Sequence, residues 1–180
     1  MPNSDHHLEF KKLDEKLIYD GYRKIIEKKF ALPNGKEHSF EIMHVSHGIA
    51  IVVAFDKNGD LILVKQYRPG PEQILVEFPG GKVELGEENI QGVKRELFEE
   101  TGYITDDIKE IGNFYSGAYS DGLFTVFLAK NCVKTHDQKL DHTEFIEVLT
   151  WSQAEFEAYY RSNIPNGHIL LAYFLAKPYF

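Results

Sequence analysis

A chain of 180 residues with 43% apolar and 13% aromatic side chains carries enough hydrophobic material for one packed domain, which excludes intrinsic disorder. Its 28 acidic against 20 basic residues give a net charge of -8, which excludes a broad nucleic-acid or anionic-membrane footprint, since both need a basic surface. The single cysteine, Cys132, has no partner for an internal disulfide, and the N-terminus MPNSDHHLEF has no apolar leader. The run IAIVVAF is far shorter than the roughly 20 residues of a bilayer helix, so the expected setting is a reducing cytoplasm.

In chain order, YRKIIEKKFALPNGKEHSFEIMHV has β-branched and aromatic runs on either side of Asn34-Gly35, a pair suited to a type I′ turn. Residues 1–45 are therefore read as an antiparallel ribbon, set apart from a main domain over 46–180. GIAIVVAF and LILVKQY form a second hairpin about DKNGD, and RPGPEQ then breaks regularity because Pro69 and Pro71 have no N–H for a ladder. ILVEF is a short strand ending at Pro79-Gly80-Gly81. From about Glu88 to Thr101 the apolar residues Ile90, Val93, Leu97 and Phe98 recur at helical spacing, and Gly102 is placed to end that helix in the left-handed conformation. Strands follow at IGNFYS, LFTVFLAKN and FIEVLTW. Ser152 with Glu155 makes a capping box for the helix QAEFEAYYRS, and Asn166 stands at the N-cap of a last helix through GHILLAYFLAK. Strands before, between and after helices predict an α+β fold, a mixed sheet sandwiched by helices rather than a doubly wound parallel sheet.

The central helix is unusually acidic. Glu96, Glu99 and Glu100 share one helical face, and like charges at that spacing repel. A hard divalent cation such as magnesium, which prefers carboxylate, carbonyl and water oxygens, gives that concentration a purpose. Taken alone, the helix also reads as a solvated face with surface ion pairs worth about 0–1 kcal/mol each. Arg95 lies four residues before Glu99, and Glu87 is close enough in sequence to pair with Arg95 across the loop-to-helix junction.

The surrounding pattern is more specific. Gly81, five residues, Glu87, seven residues, then Arg95-Glu96-Leu97, any residue, Glu99-Glu100, any residue, Gly102 and an apolar position resembles the Nudix box, with Tyr103 where an aliphatic residue is usual. LVKQYRP followed by LVEFPGGKVELGEE is similar to the approach to that box in the ADP-ribose and nucleoside-diphosphate-sugar pyrophosphatases of the family, and TEFIEVLTW resembles their later strand. The resemblance implies an α/β/α sandwich that hydrolyses the pyrophosphate bond of a nucleotide sugar to a nucleoside monophosphate and a sugar phosphate. It implies a bound magnesium or manganese ion, with Glu96 and Glu100 as main ligands, Glu99 a further one and Gly80 giving its carbonyl. Arg95 and Glu87 would orient those carboxylates. It further implies a homodimer, paired through the N-terminal ribbon, with residues of both chains completing the substrate site.

Outside the box the assignments rest on the same resemblance. Arg68, in the family's QYR segment, is the expected phosphate or ribose contact, in preference to Lys65. Glu77 is expected near metal or substrate, and Lys82 near substrate in the box loop. The base that activates water is expected on the loop before FIEVLTW, at Glu144, with Asp141 its neighbour and Asp121 another acid within reach; Glu99 is the alternative. The eight histidines show no metal-ligand spacing, His6-His7 are assigned to a mobile terminus, and Cys132 reads as a small buried residue. Tyr67, Tyr115 and Tyr119 are assigned to the core, unless one stacks on the base. A non-catalytic nucleotide-sugar sensor is the rival reading; such domains commonly lose box carboxylates, and these are all in place. Gly117 stands where ADP-ribose enzymes usually carry a proline, which lowers ADP-ribose relative to GDP-mannose or UDP-glucose.

Overall fold

A computed structural model describes residues 6–180, and of His6 the backbone alone, so the side chain of that histidine lies outside the described residues. The chain divides into two compact units. One runs up to Ser46 and takes in Tyr115–Leu123 from the middle of the sequence; the other comprises His47–Phe114 and Phe124–Phe180.

The first unit holds an antiparallel sheet of β1 (Lys11–Asp20), β2 (Lys24–Ala31) and β3 (Glu37–His44), in that order. The β2–β3 hairpin turns at the expected place but not in the expected way. Gly35 adopts φ 79 while Asn34 keeps a negative φ, and Gly35 donates its N–H to the Leu32 carbonyl at 2.9 Å. Pro33 presets the first central position, so the loop is a type I turn followed by a left-handed glycine rather than type I′. The segment Tyr115–Leu123 joins β3 through Met43, whose N–H donates to the Tyr119 carbonyl at 2.9 Å. Asp121 fastens it: its carboxylate accepts the Val45 N–H at 2.8 Å and meets His44 Nδ1 at 2.7 Å and Lys28 Nζ at 3.6 Å.

The second unit is built on a mixed sheet. β4 (Ile49–Asp56) lies antiparallel to β5 (Leu61–Arg68) and parallel to β10 (Leu123–Lys134). β6 (Gln73–Glu77) pairs β5, β7 (Gly80–Lys82) pairs β4, β8 (Tyr103–Ile104) and β9 (Ile108–Tyr115) pair β10, and β11 (Ile146–Trp151) lies outside β5. The helices are α1 (Asn89–Thr101), α2 (Gln153–Ser162) and α3 (Gly167–Ala176). β4 is apolar without alternation because both its faces are covered. Ile51, Val53 and Phe55 pack with Phe156 of α2 and Ile169 and Ala172 of α3. Ala50, Val52 and Ala54 pack with Val93 and Leu97 of α1. That is an α/β/α sandwich. Among the described residues no helix is long and apolar enough to cross a membrane.

Both predicted caps form: Ser152 and Glu155 make the reciprocal capping box of α2, and Asn166 Oδ1 accepts the His168 N–H at 3.1 Å to cap α3. The tyrosines do not follow expectation. Tyr67, Tyr115 and Tyr119 are 56%, 70% and 65% exposed; Tyr67 is the penultimate residue of β5, and the other two lie in the Tyr115–Leu123 segment.

Candidate active site

The site begins where β6 gives way to Pro79-Gly80-Gly81. Gly80 holds φ 153, and a Cβ there would strike the Ala50 carbonyl of β4, so only glycine lets the chain cross so close to the sheet. A Cβ on Gly81 would lie 2.6 Å from Glu96 Oε1. These glycines therefore bring the backbone of the box loop against the carboxylates of α1.

Arg95 organises the acids. Its guanidinium donates Nε to Glu87 Oε1 at 3.2 Å, one terminal nitrogen to Glu96 at 2.9 Å and Glu99 at 3.1 Å, and the other to the Lys82 carbonyl at 3.0 Å. Glu87 also accepts the Glu84 N–H at 2.9 Å, so it clamps the loop onto the helix. Hydrogen bonding to Arg95, and then to the Glu84 amide, holds its carboxyl below the usual range.

Glu96 and Glu100 are shifted the other way. Burial raises Glu96 against the pull of Arg95, and the charges of Glu99 and Glu144 add to the rise. Burial pushes Glu100, 4% exposed, up to about 8, although the Gly80 N–H donates to its Oε2 at 2.9 Å. Glu96 and Glu144 push it further and Arg68 opposes them. A buried set of hard oxygen donors that resist ionisation together suits a divalent cation, which would stabilise their charge. As the side chains stand, Glu96 and Glu99 turn to Arg95 and Glu100 to the Gly80 amide; among the described residues no three acidic, histidine or cysteine side chains converge as a metal cage.

Glu144 comes to this face by a route with no signal in the sequence. Gln138 donates Nε2 to the Glu100 carbonyl at 2.7 Å and to the Ile146 carbonyl at 3.1 Å, and the Lys139 N–H donates to the Glu99 carbonyl at 2.8 Å. The last turn of α1 thereby binds the irregular segment that leads from β10 into the Glu144 turn. Within that loop the Glu144 carboxylate accepts the Asp141 N–H at 2.9 Å. Asp121 belongs to the other unit, where His44, Val45 and Lys28 engage it.

The remaining predicted residues fall into four settings. Arg68 donates to Glu77 Oε2 at 2.6 Å and stays 43% exposed along its side chain, while Glu77 is 3% exposed. Lys65 pairs with its cross-strand neighbour Glu147 at 2.9 Å, a strand-face role. Lys82 is exposed on β7, its carbonyl taken by Arg95. Cys132 is buried, and burial pushes its thiol up to about 12, which makes it inert as a nucleophile at neutral pH.

The family model of the NUDIX domain matches residues 45–172. Over 147 residues the chain is 38% identical to the ADP-ribose pyrophosphatase of Bacillus subtilis (strain 168), covering 79% of this chain and 78% of that protein. It is 31% identical over 147 residues to the ADP-ribose pyrophosphatase of Saccharomyces cerevisiae (strain ATCC 204508 / S288c), covering 72% and 62%. It is 32% identical over 120 residues to the methanol dehydrogenase activator of Bacillus methanolicus, covering 66% and 64%, so it spans less than two thirds of these two relatives. A solved structure described as an ADP compounds hydrolase superposes with a TM-score of 0.83 over 95% of this chain and 94% of that one, at 18% identity, which shows a shared fold. The chain belongs to the Nudix family. Nudix hydrolases generally use divalent metal ions.

Proposed function

We propose that this chain hydrolyses the pyrophosphate bond of an ADP-sugar, ADP-ribose foremost, to AMP and a sugar phosphate. The observation that carries the reading is the face of α1, where Glu96, Glu99 and Glu100 lie with Arg95 and Glu87 and within electrostatic reach of Arg68. Relatives named as ADP-ribose and ADP-sugar pyrophosphatases favour an adenine nucleotide and outweigh the departure at Gly117.

Glu96, Glu99 and Glu100, with the backbone of Gly80, would hold magnesium or manganese. When bound, such an ion neutralises the diphosphate and acidifies the attacking water. Arg95 and Glu87 fix the carboxylates, while Arg68, anchored on Glu77, and Lys82 bind phosphate and ribose. Glu144 takes the proton from water as its oxygen bonds to phosphorus; the bridging P–O bond breaks and its electron pair leaves with the second product. The lone buried Cys132 suits a reducing cytoplasm, and the exposed edge of β1 suits a homodimer.

Release of the nucleoside monophosphate, AMP from ADP-ribose, GMP from GDP-mannose and UMP from UDP-glucose, with magnesium and with a chelator, tests the reading. Turnover of ADP-ribose that needs the ion is expected; tight binding of nucleotide sugars without cleavage under any divalent ion would make the chain a sensor instead.

A further inference from the structure

The carboxylate of Glu77 is nearly inaccessible at 3% exposure, yet it is not left to Arg68 alone. Its Oε2 takes Arg68 at 2.6 Å and Gln66 Nε2 at 3.4 Å, while its Oε1 takes Asn166 Nδ2 at 2.7 Å. Asn166 uses the other end of the same amide, Oδ1, to accept the His168 N–H that opens α3. The strand before the box is thus pinned to the last helix of the chain through one side chain. Tyr160 of α2 adds a further tie by donating its hydroxyl to the carbonyl of Val76, next to Glu77.

We infer that Asn166 is a positioning residue for substrate binding: by holding one oxygen of Glu77, it fixes the other as the anchor that aims the Arg68 guanidinium. The chemistry behind it is complementarity. A buried carboxylate can keep an arginine in one pose only if its second oxygen is also satisfied, because an unmet buried acceptor draws the guanidinium or water toward itself. Cap and donor roles reside in different atoms of Asn166, so they separate by substitution. Aspartate and serine both serve as N-caps, whereas neither offers an amide N–H to Glu77. Aspartate goes further and sets a carboxylate against a carboxylate.

The inference rests on Arg68 as a substrate contact, so the experiment carries its own control. Initial rates on ADP-ribose and thermal melting would be measured for Arg68→Ala, Asn166→Ser, Asn166→Asp, the double variant Arg68→Ala/Asn166→Ser, and the exchange Glu77→Gln/Asn166→Asp. The exchange swaps amide and carboxylate between the two positions, so the amide on β6 donates to the carboxylate at the cap and still offers its oxygen to Arg68. Asn166→Ser and Asn166→Asp are expected to raise KM about tenfold with kcat within about twofold, the signature of lost ground-state binding. Adding Asn166→Ser to Arg68→Ala should change KM by less than about twofold, because the effect runs through the missing guanidinium. The exchange should recover most of the KM lost in Asn166→Asp. If Arg68→Ala raises KM while both Asn166 variants keep the parental value, or if the losses simply multiply, the positioning role is overturned. If Arg68→Ala itself leaves KM unchanged, the substrate role of Arg68 fails and this inference fails with it.

Discussion

At the scale of single residues, Glu144 and Glu100 make opposite demands on their surroundings. Glu144 lies in the turn before β11 and perturbs Glu96 and Glu100 electrostatically, which supports its proposed role as the base. Glu144→Gln is expected to lower the single-turnover rate about 10²–10⁴-fold with substrate affinity retained, and an unchanged rate would move the base to Glu99. Burial pushes Glu100 up to about 8 in the fold, against an ordinary value of 4.5. A carboxyl raised in this way is bound to its proton more tightly when folded, so stability is lost as pH climbs from about 4.5 through about 8. Chelated protein should therefore melt lower at pH 9 than at pH 5. Glu100→Gln should flatten that slope and raise the melting temperature at pH 9 by about 4 °C or more. Identical slopes for both proteins would show that burial of Glu100 carries no such cost.

At the scale of elements, the two glycines before α1 separate folding from chemistry. Gly80 faces backbone atoms of β4, which cannot yield, whereas Gly81 faces the far end of the Glu96 side chain, which can. Gly81→Ala is thus expected to melt within about 2 °C of the parent while kcat falls about 10–100-fold through a displaced carboxylate; wild-type kcat would argue that Glu96 need not occupy this position. Wherever one local rule dominated, the sequence was a good guide. Helical period, the Gly102 stop, the Ser152–Glu155 box and the Asn166 cap all stand where the residues indicated. β1 was not legible because register shifts at Lys12/Asp14 and Leu17/Tyr19 break its alternation and every residue in it is exposed. β7 and β8 span only three and two residues and owe their form to neighbours. The site followed the same division. The pairing of Arg95 with Glu99 and Glu87 could be read from spacing, but its contact with the adjacent Glu96, the stitching by Gln138 and the bond from Asn166 to Glu77 leave no periodic trace.

At the scale of the whole molecule, β1 is an edge strand that keeps Leu17 and Tyr19 48% and 59% exposed, a surface that a second copy would cover. Light scattering is expected to give a dimer at micromolar concentration, and Leu17→Glu a monomer; a wild-type monomer with full activity would refute the pairing. The parallel match of β4 with β10 has another consequence, one of timing. Ile49 meets Phe124 across 75 positions (124 − 49), and α1 lies wholly inside that span. Bringing the ends of such a loop together costs about 4 kcal/mol of chain entropy before any contact is gained. The apolar stripe of Val93 and Leu97 has no finished surface to dock on until the ends meet, so the acidic helix should become protected late in refolding, after the local β4–β5 hairpin. Pulse-labelling hydrogen exchange would resolve that order. During synthesis the same geometry delays docking of the box helix until β10, Leu123–Lys134, has also emerged from the ribosome.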